Sequence, residues 1–270
     1  MRSIPKSSEF GSSSNKGERE GAVTQRIKSG IDGLDEVLCG GIPFGSQVLV
    51  AGEPGSGKTT FGMQFLYKGA SMYNEPGVYV TFEEPPHAVF QNMAQFKWDL
   101  GRIMGEDKLR FIDASISYPL NLSKQVPTRV KPFDLSEYLM EDFYGDLETA
   151  VKEIGAKRIV IDPITVIGLH FRDPIEARRE FFGLSRLLTQ LGVTSILTSE
   201  ISRGAQVLGR FGVEEFISTG VIILRMVERG TRRLRTIEIS KMRGTAHYID
   251  MMPLEIDTGR GIALSHNKLK

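Results

Sequence analysis

The chain has 270 residues, 40% hydrophobic and 25% charged, which is enough for one large α/β domain with a real core. Lys and Arg together number 34 against 33 for Asp and Glu, and the resulting net charge of +1 gives no general attraction to nucleic acid or membranes. The single cysteine, Cys39, excludes an intramolecular disulfide and suits a reducing cytoplasm; no apolar run approaches the ~20 residues that span a bilayer, and no secretory signal is present.

Residues 1–23 are polar and apolar-poor and are expected to be a disordered tail. Within them Ser7-Ser8-Glu9-Phe10-Gly11-Ser12-Ser13-Ser14 reads as an added cloning linker. The folded domain is expected over 24–270. A short amphipathic helix starts near Asp32 and stops at Gly40-Gly41, and Gln47-Val48-Leu49-Val50-Ala51 reads as a buried strand. A helix carrying Phe61, Phe65 and Leu66 follows, then a strand over Val78 to Phe82. Val89, Met93, Phe96 and Leu100 mark one helical face, with Trp98 read as core or interface packing. Leu109 to Asp113 is a candidate strand, and 114–131 lacks periodicity and reads as a surface excursion, either a plain loop or a partner contact.

Leu147, Ala150, Val151 and Ile154 give the next helical face, closed by Gly155. Arg158 to Asp162 is a buried strand ending in an acid. Asp173-Pro174 caps a helix with Ala177, Phe181, Leu184, Leu188 and Leu191 on its face and Gly192 at its end. Val193 to Glu200 is the following strand. After a loop over Gly204 to Gly212, the segments 221–227 and 234–243 read as two strands of an antiparallel hairpin joined by 228–232. The order predicts an α/β fold: a mostly parallel sheet flanked by helices, with antiparallel strands at its carboxy-terminal edge.

The chemistry centres on Gly52-Glu53-Pro54-Gly55-Ser56-Gly57-Lys58-Thr59-Thr60, which fits G-x-x-x-x-G-K-[ST]. Alone, that pattern has a glycine-rich turn as its alternative. Its place between a strand and a helix start, where free amides and the helix dipole favour an anion, points to a triphosphate. Lys58 suits the β- and γ-phosphates, Thr59 a Mg²⁺ ion, and Asp162 the same ion through a water. Glu83 and Glu84 are candidates to orient or deprotonate the attacking water, with Glu83 favoured as base; the alternative is two acids fringing a helix start. Arg235, Ile237, Ile239, Lys241 and Arg243 share one parity and are expected on one face, with Lys241 and Arg243 about 7 Å apart. Those cations serve a triphosphate, in their own site or a neighbour's, or else form a solvated basic strand.

Gly30-Ile31-Asp32-Gly33-Leu34-Asp35, Thr81-Phe82-Glu83-Glu84, Gly212-Val213-Glu214-Glu215-Phe216 and Lys241-Met242-Arg243-Gly244-Thr245-Ala246-His247 resemble the KaiC family. These are RecA-like P-loop ATPases, and the likeness runs from about Thr24 to Leu264. The resemblance implies ATP and Mg²⁺ as ligands, with nucleotide held between subunits of a homo-oligomeric ring, expected to be a hexamer. It implies that Glu83 and Glu84 assist hydrolysis and that Lys241 and Arg243 reach a neighbour's nucleotide. Arg235 matches a further contact from the neighbour, and His247 a weaker one that a structural histidine explains equally well.

The clock protein of this family carries two such domains, this chain one. The place of its autophosphorylated Ser-Thr pair is taken here by Glu215-Phe216, so Ser218-Thr219 is not read as a phosphosite. The leading expectation is a slowly hydrolysing regulatory ATPase acting through an unidentified protein partner. A recombinase-like DNA-binding ATPase is the runner-up. Its loops would be Gly168 to Asp173 and Ile201 to Gly212, yet Arg172, Arg203, Arg210, Phe171 and Phe211 make a thin set of contacts. A scaffold that binds ATP and barely hydrolyses it is the third.

Overall fold

A computed structural model of the protein describes residues 25–114, 132–169, 171, 173–201 and 214–265. The expected tail, nearly all of the excursion over 114–131 and the loop 204–212 fall outside these residues. A short antiparallel pair, β1 (Arg26–Ile27) and β2 (Ile42–Pro43), brackets α1 (Leu34–Val37). β3 (Gln47–Gly52) leads through the phosphate loop into α2 (Lys58–Met72), followed by β4 (Gly77–Thr81). Then come α3 (Pro86–Met93), α4 (Leu100–Gly105), β5 (Leu109–Asp113) and α5 (Pro132–Ile154). β6 (Arg158–Asp162), α6 (Thr165–Leu169), α7 (Pro174–Leu191) and β7 (Thr194–Glu200) complete the helix-covered part. α8 (Glu214–Ile217) precedes the hairpin of β8 (Gly220–Arg229) and β9 (Arg232–Met242), and β10 (Met252–Asp257) pairs with β11 (Gly261–Leu264).

Among the described residues the main sheet has nine strands in the order β11-β10-β9-β8-β3-β7-β6-β4-β5. From β8 to β5 every pairing is parallel, and β8, β9, β10 and β11 pair antiparallel in turn. This is the expected class. Parallel strands are buried on both faces, and β3 shows it: all six of its residues are buried.

Two cores result. On one face Phe61, Phe65 and Leu66 of α2 pack with Val48, Val50, Val160 and Ile196. On the other, Leu147 of α5 and Phe181, Leu184 and Leu188 of α7 cover Leu49, Val80 and Ile161. Each such large side chain contributes about 1.5–3 kcal/mol by leaving water. At the start of β6, buried Arg158 is fixed by Glu75 and by the Phe65 carbonyl at 2.8 Å. It fits only because residue 69 is glycine, since a Cβ there would lie 2.4 Å from its Nε.

Several expectations give way. The face Val89, Met93, Phe96 and Leu100 is buried as expected, but it is not one helix. Lys97 adopts φ +57° and breaks it, and Asp99 accepts from the Arg102 amide to start α4 afresh. Trp98 is buried between the rings of Phe96 and Tyr67, which settles it as packing within this chain. β10 and β11 were not anticipated. The single parity assigned to β9 is also wrong. Ile239 pairs with Ile222 but Lys241 pairs with Val221, so Ser240 is an extra residue. Such a bulge reverses the alternation. Lys241 and Arg243 therefore lie on the face opposite Arg235, Ile237 and Ile239.

Candidate functional site

The carboxy-terminal ends of β3, β4, β6 and β7 open into one cleft of about 540 Å³, within the range of small-molecule sites. It is lined by the phosphate loop (Pro54, Gly55, Gly57, Lys58, Thr59, Thr60), by Glu83 and Glu84, and by Asp162 and Glu200. The far wall is Asn92, Met93, Gln95, Phe96, Arg235 and Ile256. Most of the residues predicted from sequence thus meet in one place.

The loop's shape follows from its glycines. A Cβ on Gly52 would stand 2.7 Å from the Leu224 carbonyl of β8 and 2.5 Å from Ser56 Oγ. Gly57 caps α2 in the left-handed region at φ 106° with no side chain of its own to offer the helix amides. The first backbone bond of α2 runs from the Phe61 amide to the Gly57 carbonyl at 2.8 Å. The amides of Lys58, Thr59 and Thr60 therefore have no intrahelical acceptor and carry the positive end of the helix dipole. Ser56 Oγ is buried without a hydrogen-bond partner. Free amides and an orphaned hydroxyl in a side-chain-free cradle fit an anionic phosphate chain.

Lys58 is buried and donates to the Gly52 carbonyl at 2.9 Å and the Glu53 carbonyl at 3.2 Å. Its Nζ also stands 3.9 Å from Glu200 Oε1. Burial pulls the ammonium below its ordinary pKa, against the support of Glu200, then Asp162 and Glu83. Asp162 accepts hydrogen bonds from the Tyr79 hydroxyl at 2.6 Å and from the Thr198 hydroxyl. Those donors fix the carboxylate while each oxygen keeps a lone pair. With Thr59 across the cleft, the protein supplies two oxygen positions for a hard cation, and among the described residues no group of three or more His, Cys, Asp or Glu converges to hold one. Mg²⁺ bound by one or two protein oxygens plus phosphate and water fits that supply.

The two adjacent glutamates differ. The Glu84 carboxylate accepts from Asn92 Nδ2 of α3 at 3.1 Å, and its carbonyl accepts from the Thr81 hydroxyl. Glu83 is the one placed among the cleft's charges. Desolvation raises its pKa, Glu200 and Asp162 raise it further, Lys58 pulls against them, and Glu84 adds a smaller push. A carboxyl raised in this way is a stronger base than an ordinary glutamate.

The carboxy-terminal cations divide. Arg235 lies at its own chain's loop, its Nε donating to the Gly55 carbonyl at 3.3 Å. The antiparallel return of β9 brings its first half beside the chain's own cleft, whereas the resemblance implied a contact from Arg235 to a neighbour's nucleotide. Lys241, Arg243 and His247 are absent from the lining. Gly52 pairs with Leu224, whereas Lys241 pairs with Val221, three residues down β8. At 3.3 Å per residue that is about 10 Å toward the opposite edge of the sheet. Lys241 Nζ donates there to the carbonyls of Glu215 at 3.0 Å and Ser218 at 2.7 Å, and the Arg243 amide to Thr219. His247 is partly exposed and shares its Nδ1 with the Tyr248 carbonyl at 3.1 Å. Of the residues weighed for DNA, Arg172, Arg203, Arg210 and Phe211 lie outside the described residues.

Glu200, Asn92, Tyr79, Thr198 and Ile256 were not singled out from sequence as site residues. The signal for Glu200 and Thr198 was their place at the end of an apolar strand, which faces the site once that strand is known to lie next to the loop strand. Asn92 and Ile256 depend on how α3 and β10 fold back, which no local pattern shows. No helix among the described residues is long and apolar enough to cross a membrane.

Comparison with known proteins agrees with this geometry. A family model described as "ATPase: KaiC" matches residues 27–268. The circadian clock oscillator protein KaiC of Thermostichus vulcanus is 40% identical over 245 residues, covering 91% of this chain and 45% of that protein. The protein of the same name from Synechococcus elongatus is 40% identical over 256 residues, covering 95% and 47%. The chain spans a little under half the length of these curated relatives. A solved KaiC-like protein from the hyperthermophilic archaeon Pyrococcus horikoshii superposes with a TM-score of 0.76 at 38% identity, covering 90% of this chain and 99% of that one.

Proposed function

The chain belongs to the KaiC family of ATPases, and from that premise we propose that it binds ATP with Mg²⁺ in the cleft and hydrolyses it slowly inside a homo-oligomeric ring. A hexamer is the size favoured by the family resemblance. The observation that carries this reading is the separation of Lys241 and Arg243 from their own cleft, combined with the cleft's charge. Its lining holds four carboxylates, Glu83, Glu84, Asp162 and Glu200, against two cations, Lys58 and Arg235. The side chains of an isolated cleft are therefore net anionic, so added positive charge would favour a triphosphate there. A second copy presenting Lys241 and Arg243 would supply it.

In this reading the loop amides and Lys58 bind the phosphates, and Arg235 braces the loop from the same chain. Thr59 and Asp162 would hold Mg²⁺, which when bound neutralises charge on the β- and γ-oxygens. Glu83 takes the proton of the attacking water, and Glu84, tied to Asn92, keeps the turn in place. The neighbour's Lys241 and Arg243 stabilise charge that develops as the γ-phosphoryl leaves, an effect worth roughly 10³- to 10⁵-fold where an arginine acts this way. The product state then differs between junctions, which is the basis for a regulatory role toward a protein partner in the cytoplasm.

Light scattering with phosphate-release kinetics tests the proposal. Nucleotide and Mg²⁺ should drive wild type into a closed assembly that turns over, and Arg243→Ala should assemble yet lose most of its turnover. A protein that remains monomeric with nucleotide and still hydrolyses at full rate would refute it.

A further inference from the structure

The reading above gives every cleft carboxylate a task except Glu200. Asp162 faces the metal position, Glu83 the water, and Glu84 is engaged by Asn92. Glu200 ends β7, paired in register with Gly52 at the start of the loop. Its neighbour Ile201 donates its amide to the Gly52 carbonyl at 3.1 Å, the same oxygen that accepts from Lys58 Nζ at 2.9 Å. Strand end, loop start and lysine are thus tied at one carbonyl, which holds the Glu200 carboxylate 3.9 Å from the ammonium. The side chain is 51% exposed, on the cleft side.

We propose that Glu200 is a specificity-determining residue: it competes with the terminal phosphate for Lys58, so that the cleft of one chain penalises a triphosphate more than a diphosphate. The inference rests on the reading of this cleft as an ATP site. Lys58 in a loop of this type reaches both β- and γ-phosphates. A γ-phosphate therefore arrives where Glu200 already holds the ammonium, and two anions then share one cation. A diphosphate stops one group short and meets less of that repulsion. Among the carboxylates near Lys58, Glu200 gives its charge the strongest support, and it is the first charged group to act on Glu83. Cations from a neighbour would offset the penalty, which makes retention of ATP over ADP depend on a completed junction.

Solvent screening limits the effect of a half-exposed charge. The expected change is about three- to tenfold in triphosphate affinity. The experiment is calorimetric titration of the full chain with ATPγS and with ADP, both with Mg²⁺, so that turnover does not blur the result. Glu200→Gln and, as a second neutral variant, Glu200→Ser should tighten ATPγS by that factor and ADP by less than about twofold. Glu200→Asp should restore the wild-type ratio. Equal changes for the two nucleotides, or none, overturn the assignment. Lys58→Ala separates this from the underlying reading: if it binds ATPγS as wild type does, the cleft is not the triphosphate site at all. If it loses binding while the Glu200 variants keep the wild-type ratio, only the role of Glu200 falls.

Discussion

Arg235 and Arg243 lie eight positions apart on or just beyond β9, yet the proposed function gives them to different sites, and mixed assemblies can tell them apart. Take Lys58→Ala, which removes the phosphate-binding ammonium, and mix it in equal amounts with Arg243→Ala. In a closed head-to-tail ring each junction takes a cleft from one copy and Lys241 with Arg243 from the next. A junction works only when the cleft comes from the Arg243→Ala copy and the cation from the Lys58→Ala copy. Random mixing makes that roughly one junction in four. Each variant alone should run at about 10⁻³ of wild type or less, so recovery to roughly a quarter is a large signal. Pair Lys58→Ala with Arg235→Ala instead and nothing should be recovered. Arg235 meets Gly55 of its own chain, so each cleft in the mixture lacks either Lys58 or Arg235. Phosphate release on rings shown by native mass spectrometry to be mixed is the assay. Recovery in the Arg235 pair, or failure in the Arg243 pair, refutes the assignment.

Four further outcomes follow from the site and the core. Glu83→Gln should lower single-turnover hydrolysis about 10²- to 10⁴-fold while leaving nucleotide affinity near wild type. Because Glu83 works ionised and its pKa is raised, first by desolvation and then by Glu200 and Asp162, wild-type turnover should climb with pH to a plateau, the climb displaced upward from that of an ordinary glutamate. Removing the Glu200 charge should move that climb to lower pH, and a pH–rate profile on both proteins checks it. Gly52→Ala should abolish nucleotide binding and destabilise the fold by about 1–3 kcal/mol, since the new Cβ meets the Leu224 carbonyl at 2.7 Å; calorimetric titration and thermal melts check the two parts. Arg158→Ala should cost about 3–5 kcal/mol by emptying a fully buried site and leaving the Phe65 carbonyl and the half-buried Glu75 without their donor. That lowers Tm by about 6–20 °C for a domain of this size, with ATPγS affinity unchanged at a temperature where the variant is folded.

The strands and the loop were legible because their signals are local. Four consecutive apolar residues before Gly52, followed at once by a glycine-rich turn, read as a strand buried on both faces, and Lys58, Thr59 and Asp162 follow from their positions at element ends. The break at Lys97 was not legible, because the apolar spacing across it continues at helical period while one residue in the left-handed region interrupts the chain. The parity error on β9 has a similar origin. Alternation read from Arg235 to Arg243 assumes an unbroken ladder, and Ser240 gives no composition signal that it is the extra residue. Glu200 was passed over because a strand-end acid acquires meaning only through its neighbour. Its pairing with Gly52 depends on β7 inserting beside β3, a fact of topology and not of sequence.

The bulge and the antiparallel return together are the features from which a second copy is proposed to take part in the chemistry. All strands from β8 to β5 run the same way, so their carboxy-terminal ends gather at one edge of the sheet, and the phosphate loop sits there. β9 turns back at Gly230, passes the cleft with Arg235 and reaches the opposite edge by Lys241. The residue inserted at Ser240 then turns Lys241 and Arg243 away from the face that carries Arg235. Both features move the pair off the chain's own nucleotide position, one along the strand and one across it. Lys241 is meanwhile occupied by the carbonyls of Glu215 and Ser218, so reaching a phosphate means exchanging those acceptors for a stronger anionic one. In the proposed assembly that exchange would link the end of α8 to the occupancy of the neighbouring cleft, and a head-to-tail junction is the arrangement in which one copy's cleft edge would meet the next copy's cation edge.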